Sequence, residues 1–315
     1  MPKKILIRNN GNEEVDEVFK KFIKFSKAKN LSERTIVYYE YNYNKFKEFL
    51  GKLGITEIGQ ISPEIVEDFT IELSDEVDNP VSVNTVLRAV RVFLNFAMER
   101  KYLEKFKVSL IKTVKKVKET YTDEELKLLL KKPDIDTCGF AEYRNWVIIN
   151  WLLSTGNRSR TVRNIKIKDL DLEGGYVRLS TLKNRYQQVI PVSKVIIDIL
   201  QEYLTFRDGE DNDYLFCNIY GGKISTDGFV NAISRYNKRR GVSKTSSHLF
   251  RHTFAKLWIK NGGDIFRLQK ILGHKSLEMV KEYVNLFSDD LKDNFEEFNP
   301  INQFSISKNY IHLKD

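Results

Sequence analysis

The sequence predicts a mainly α, two-domain protein with a small antiparallel β-hairpin in its second half. Three observations carry this. Apolar residues recur at helical spacing from Val15 to about Glu99, a lysine-rich stretch then breaks the pattern, and two short strand-like runs lie among the later helices. At 315 residues and 41% hydrophobic content the chain can bury a core in each of two domains.

In "VDEVFKKFIKFSKAKN" the residues Val15, Val18, Phe19, Phe22, Ile23 and Phe25 mostly share one helix face. Ser32 caps a second helix, "SERTIVYYEYNYNKFKEFL", which Gly51 and Gly54 close. Ser62 caps a third, with Pro63 at the first helical position, where a missing N–H costs nothing. The fourth, "SVNTVLRAVRVFLNFAMER", turns Val86, Val90, Phe93 and Phe96 or Ala97 inward and carries Arg88 and Arg91 on another face. These helices define a first domain over 13–100, after a short leader at 1–12.

Residues 101–120 include Lys112, Lys115, Lys116 and Lys118 against few acids, the composition of a basic interdomain linker. It reads equally as a solvated surface segment or as a strap lying along a phosphate backbone. The second domain spans 121–287 and opens at a capping box, Thr122 with Glu125. An apolar helix, "YRNWVIINWLLSTG", ends at Gly156. "EGGYVRLS" and "QQVIPVS" then flank the polar tip "TLKNRY" as a hairpin, and short helices punctuated by Gly262, Gly263 and Gly273 follow.

The formal charge of +9, alongside abundant Asp and Glu, points to basic faces and a polyanionic partner, nucleic acid above all. Cys138 and Cys217 form no CxxC pair, which excludes a disulfide framework and a thiolate zinc site and suits a reducing cytoplasm. The leader "MPKKILIRNNGNEE" has no apolar run long enough for a signal or membrane segment, so a cytoplasmic location is expected.

His248, His252 and His274 are three of the four histidines. His248 and His252 have the i, i+4 spacing of a zinc pair, yet Leu249 stands where a metalloprotease motif needs Glu, and Arg251 sets a fixed cation beside any metal. A binding-only reading takes "DIFRLQKILGHKSLEMVKEYV" as a helix-turn-helix with Arg267, Lys270 and Lys275 as DNA contacts. It leaves two other phosphate-binding groups unexplained. Arg158 lies just past a helix-ending glycine, on a loop, and Lys183 lies at the hairpin tip, both suited to reach a phosphate.

The ordered set of Arg158 in "TGNR", Lys183, His248 and Arg251 in "HLFR", His274 in "LGH", and Tyr283 nine residues later resembles the tyrosine recombinase, or phage integrase, family. The resemblance implies a two-domain DNA clamp: a helical core-binding domain plus an α+β catalytic domain. It implies Tyr283 as the nucleophile on a DNA phosphodiester, with a 3′-phosphotyrosine intermediate. Arg158, Arg251 and His274 are implied as phosphate contacts, Lys183 as general acid, and His248 as base or relay. Lys183 is placed by counting back from "VIPV", with Arg185 its nearest competitor. His252 falls outside the family's catalytic positions and reads as support.

Two arginines holding the phosphate leave no metal or other cofactor implied. Duplex DNA with a specific site, touched by Arg88, Arg91 and Lys112 to Lys118, and a homotetramer are the implied partners. Within the acidic tail, 288–315, Leu291, Phe295 and Phe298 make an apolar stripe for docking on a neighbouring subunit. The short leader leaves no room for an arm-binding domain, the layout of a Xer-type resolvase or a mobile-element enzyme. Three positions depart from the family pattern: Asn157 replaces an apolar residue, Thr161 a Glu, and Val280 a Thr. A catalytically silent regulator and a type IB-like topoisomerase remain alternatives, separable by covalent-adduct and plasmid-relaxation assays.

Overall fold

The structure, a computed structural model, describes residues 12–113, 119–179, 188–274 and 276–284, with 282–284 described through their backbone alone. The chain divides into two compact units, 1–116 and 117–315.

The first unit holds α1 (Val15–Ala28), α2 (Glu33–Lys52), α3 (Pro63–Glu76) and α4 (Pro80–Glu99). Their starts follow capping chemistry. The Ser32 hydroxyl accepts the Thr35 N–H at 3.3 Å, and the Ser62 hydroxyl accepts that of Ile65 at 3.4 Å, just ahead of Pro63. The fourth helix begins two residues before the expected "SVNTV", because Asn79 caps it and Pro80 takes its first position. Val15, Val18, Phe19 and Phe22 face Tyr43, Phe46, Val86, Val90 and Phe93 in one core. There Phe19 stacks on Tyr43 with ring centroids 3.6 Å apart and meets Phe93 edge-on. Helix α4 is long and apolar enough to cross a membrane, but most of it is buried in this core.

The expected linker at 101–120 begins inside this unit. Leu103 and Val108 are buried in the first core while Lys105 and Lys107 point outward. The Asn84 amide fixes the same stretch by donating to the Ile111 carbonyl at 2.9 Å and accepting its N–H at 3.0 Å. The apolar positions between the lysines bury real area, which a solvated strap does not offer.

In the second unit α5 (Asp123–Leu130) starts at the expected capping box. Thr122 Oγ1 accepts the Glu125 N–H at 3.2 Å, and Glu125 returns a carboxylate to Thr122 N at 2.8 Å. Helix α6 (Phe140–Thr155) is the centre, with Trp146, Val147, Ile148, Ile149, Trp151 and Leu152 all buried. It packs against α5, α8 (Lys194–Phe206), α9 (Thr226–Arg239) and α10 (Ser247–Lys260). A helix apolar all round must be enclosed.

The expected hairpin is β2 (Tyr176–Leu179) with β3 (Gln188–Pro191), antiparallel, with Val177 opposite Ile190. A third strand, β1 (Leu170–Asp171), pairs with β2 and was missed, since two residues carry no readable period. The short helices α11 (Ile265–Leu272) and α12 (Glu278–Val284) pack on α10 through Phe254, Ala255, Leu268, Leu272 and Val280.

Candidate active site

Two helix ends meet at the site. Helix α6 stops where Gly156 turns left-handed (φ 59°) and returns its N–H to the Leu152 carbonyl at 2.9 Å. The next residues are fixed at once: Asn157 is buried, and its side-chain carbonyl accepts the Trp151 indole N–H at 3.2 Å. That bond gives the amide oxygen a donor at the position where an apolar residue is usual. Arg158 follows in extended conformation on this short loop, as expected, and stands just ahead of a single helical turn, α7 (Ser159–Val162). Thr161 is buried within that turn.

Helix α10 starts at Ser246, whose hydroxyl accepts the His248 N–H at 3.3 Å. Arg251, three residues after His248, is only 5% exposed, and its charge is met by a fan of acceptors. Nη1 donates to the Gly156 carbonyl at 2.8 Å, and Nη2 donates to the Leu272 carbonyl at 2.7 Å. Nη2 also lies 2.7 Å from His274 Nε2. A guanidinium has only donors, so Nε2 is the acceptor there and the neutral ring carries its proton on Nδ1. Arg158 Nη1 reaches the same Leu272 oxygen at 3.4 Å. Two guanidiniums thus converge on one carbonyl.

His248 keeps part of its surface toward solvent, while the protein packed around its ring partly desolvates it. That desolvation, then the charges of Arg251 and Arg158, push its pKa below the ordinary histidine value. It stays neutral to lower pH and is suited to accept a proton. His252, one turn on, is half-buried on α10.

Tyr283 lies on α12, described through its backbone alone. Val280, one turn earlier, is fully buried against Phe254, Leu268 and Leu272, and it anchors that helix where Thr is frequent. Lys183, its competitor Arg185, and Lys275 lie outside the described residues, as do Leu291, Phe295 and Phe298. So do Lys115, Lys116 and Lys118, whereas Lys112 and Arg88 are exposed and Arg91 is half-buried in the first unit. On the helix-turn-helix reading, Arg267 and Lys270 are exposed on α11. Among the described residues no group of three His, Cys, Asp or Glu is placed to hold a metal ion.

Sequence reasoning missed the groups that hold the arginines in place. They are the carbonyls of Gly156 and Leu272, and every residue has a carbonyl. The glycines at 156 and 273 were the available signal, since they mark the helix ends where carbonyls lack intrahelical partners.

Residues 119–289 match the phage integrase family, and residues 19–101 match its N-terminal SAM-like domain. The chain belongs to the phage integrase family. This tyrosine recombinase is an enzyme of site-specific DNA recombination, cleaving and rejoining DNA strands. It is 27% identical over 297 residues to the tyrosine recombinase XerD of Staphylococcus haemolyticus, covering 91% of this chain and 99% of that one. Two solved structures show the same fold. The XerH site-specific recombinase bound to palindromic difH substrate, a post-cleavage complex, matches with TM-score 0.67 at 23% identity, covering 88% of this chain and 83% of that one. The lambda integrase tetramer bound to a Holliday junction matches with TM-score 0.66 at 16% identity, covering 87% and 82%.

Proposed function

We propose that this recombinase cuts duplex DNA through Tyr283 and holds the scissile phosphate with Arg158, Arg251 and His274. The observation that carries this is the convergence of Arg158 and Arg251 on the Leu272 carbonyl, with His274 against Arg251 and the ring of His248 in their field.

The Tyr283 oxygen attacks phosphorus, a P–O bond to tyrosine forms, and the P–O5′ bond breaks. A 3′-phosphotyrosine and a free 5′-hydroxyl result. A partner strand's 5′-hydroxyl reverses the step, so the phosphodiester energy is conserved and no nucleotide cofactor is consumed. Negative charge gathers on the nonbridging oxygens in the transition state, where two preorganised guanidiniums are worth most. Phenol has a pKa of about 10, so His248, kept neutral, takes or relays its proton. The departing alkoxide needs a proton, and Lys183 is its donor.

Arg88, Arg91, Lys112, Lys115, Lys116 and Lys118 supply phosphate contacts outside the site. What supports this is the exposure of Arg88 and Lys112. The substrate is a specific duplex site in the cytoplasm, joined by four copies of the chain in a synaptic tetramer, in a chromosomal resolvase or a mobile-element enzyme. The XerH and lambda integrase structures, with DNA bound, support the partner and the assembly.

The test is incubation with a nicked suicide duplex carrying the recombination site. A covalent protein–DNA adduct that vanishes in Tyr283→Phe is expected. No adduct, or one that survives Tyr283→Phe, overturns the assignment. Relaxation of any supercoiled plasmid without a specific site would favour a topoisomerase.

A further inference from the structure

An α-helix ends with four carbonyls that lack intrahelical partners. In α11 these belong to Gln269, Lys270, Ile271 and Leu272, and all four are used. His274 N–H donates to the Gln269 carbonyl at 3.0 Å, and Gly273 N–H donates to that of Lys270 at 3.0 Å. With Gly273 left-handed (φ 61°), this is a Schellman ending. The Leu272 carbonyl takes both arginines.

The remaining acceptor, the Ile271 carbonyl, is claimed from another element. The Gln188 side-chain amide, Nε2, donates to the Ile271 carbonyl at 3.3 Å and to the Lys270 carbonyl as well. Its Oε1 lies across the cap, 3.2 Å from where a Cβ on Gly273 would stand. Gln188 is the first residue of β3, and Val189 and Ile190 beside it are locked into register with Arg178 and Val177. The sheet therefore holds the turn that presents the Leu272 carbonyl and His274.

We infer that Gln188 is a positioning residue for the cleavage site. Its amide clips the end of α11, and that end fixes the oxygen on which Arg158 and Arg251 converge. The inference rests on the reading of these arginines as phosphate-binding groups. The chemistry required is a neutral or positive donor facing carbonyls at the negative end of a helix dipole. Leucine of similar size supplies no donor. Glutamate, of the same shape, sets a carboxylate against carbonyl oxygens. Arginine keeps donors and suits the dipole, so it is the rescuing substitution.

The experiment uses the full chain and three variants: Gln188→Leu, Gln188→Glu and Gln188→Arg. Hydrogen exchange is followed in peptides spanning 266–274, together with affinity for the duplex site and the single-turnover cleavage rate on a suicide substrate. In Gln188→Leu exchange at Gly273 and His274 should rise about fivefold, the worth of one hydrogen bond. Cleavage should fall about 10-fold to 100-fold, as small misplacements of reacting groups do, with affinity held within about twofold because phosphate contacts outside the site dominate it. Gln188→Arg should recover most of the rate.

If Gln188→Leu melts early, the isosteric Gln188→Glu carries the test and must show the same split between rate and affinity. Unchanged cleavage in both variants, a rate loss matched by an equal affinity loss, or an arginine variant as impaired as leucine overturns the inference. Wild-type protein and Tyr283→Phe run in parallel. An adduct surviving in Tyr283→Phe refutes the reading of the site and leaves the exchange result standing, whereas unchanged exchange in Gln188→Leu refutes the clip alone.

Discussion

The buried guanidinium of Arg251 donates to the Leu272 carbonyl at 2.7 Å, tying α10 to the last turn of α11. The same side chain holds the Gly156 carbonyl at the end of α6 at 2.8 Å. One residue therefore joins three helix ends at the place where the phosphate is proposed to bind. A single ammonium cannot reproduce that fork. Arg251→Lys should lower single-turnover cleavage by about 100-fold or more, the cost of a lost oxyanion contact. Duplex affinity should change much less in gel-shift assays at fixed salt.

Gly156 has no room for a side chain. A Cβ there would stand 2.6 Å from Phe254 Cδ1 and 2.7 Å from Leu272 Cδ2, at a left-handed φ of 59°. Gly156→Ala should cost about 1–3 kcal/mol of stability, the usual penalty of overpacking a filled core. Urea unfolding followed by circular dichroism checks this. Cleavage should fall with it, because Arg158 lies two residues on and Arg251 holds the residue's carbonyl.

On the proposed mechanism, the lowered pKa of His248 should set the acid limb of the reaction. Its neutral form persists below the ordinary value of 6.5, so cleavage should hold through pH 6.5 and fall only at lower pH. The linked stability has the same sign. The unfolded chain binds the proton first as pH drops, so the neutral ring's contribution is present above 6.5 and is lost as pH falls toward the folded pKa. A pH–rate profile in wild type and His248→Ala measures it. The variant should lose this limb along with most of its rate, and a wild-type limb centred above 6.5 would contradict the role.

Arg88 is exposed on α4, near enough to Tyr38 for its charge to oppose the upward push of burial on that phenol. Arg88→Ala and Lys112→Ala should each weaken binding about equally for different flanking sequences and reduce the slope of log affinity against log salt by about 1. Fluorescence anisotropy across a salt series reads both. A sequence-dependent loss with an unchanged slope would mean base contact instead.

Removal of residues 288–315 tests the tail. The truncated protein should bind a single duplex site as before and fail to form the four-subunit synaptic complex in native mass spectrometry or light scattering. An unchanged tetramer would remove Leu291, Phe295 and Phe298 from the assembly.

The sequence by itself determined the helices, because capping and burial are local and periodic. Ser32, Ser62, Pro63 and the Thr122–Glu125 box set starts, Gly156 and Gly273 set ends, and the apolar stripes named the cores. The order of Arg, Lys, His, Arg, His and Tyr was legible too, since side-chain chemistry is written in residue types. The two-residue strand β1, the earlier start of α4 at Asn79 and the burial of Leu103 and Val108 were not, because each depends on a partner distant in sequence or on a signal shorter than a period.

Only the tertiary structure decided how the site is held. Gly156, Gln188, Arg251 and Leu272 are spread over more than a hundred positions, and their contacts run largely through backbone carbonyls. A carbonyl has no letter in the sequence. Which of them lacks a helical partner, and which guanidinium or amide reaches it, is fixed by the packing of α6 and α11 on α10 and by the reach of Gln188 from β3.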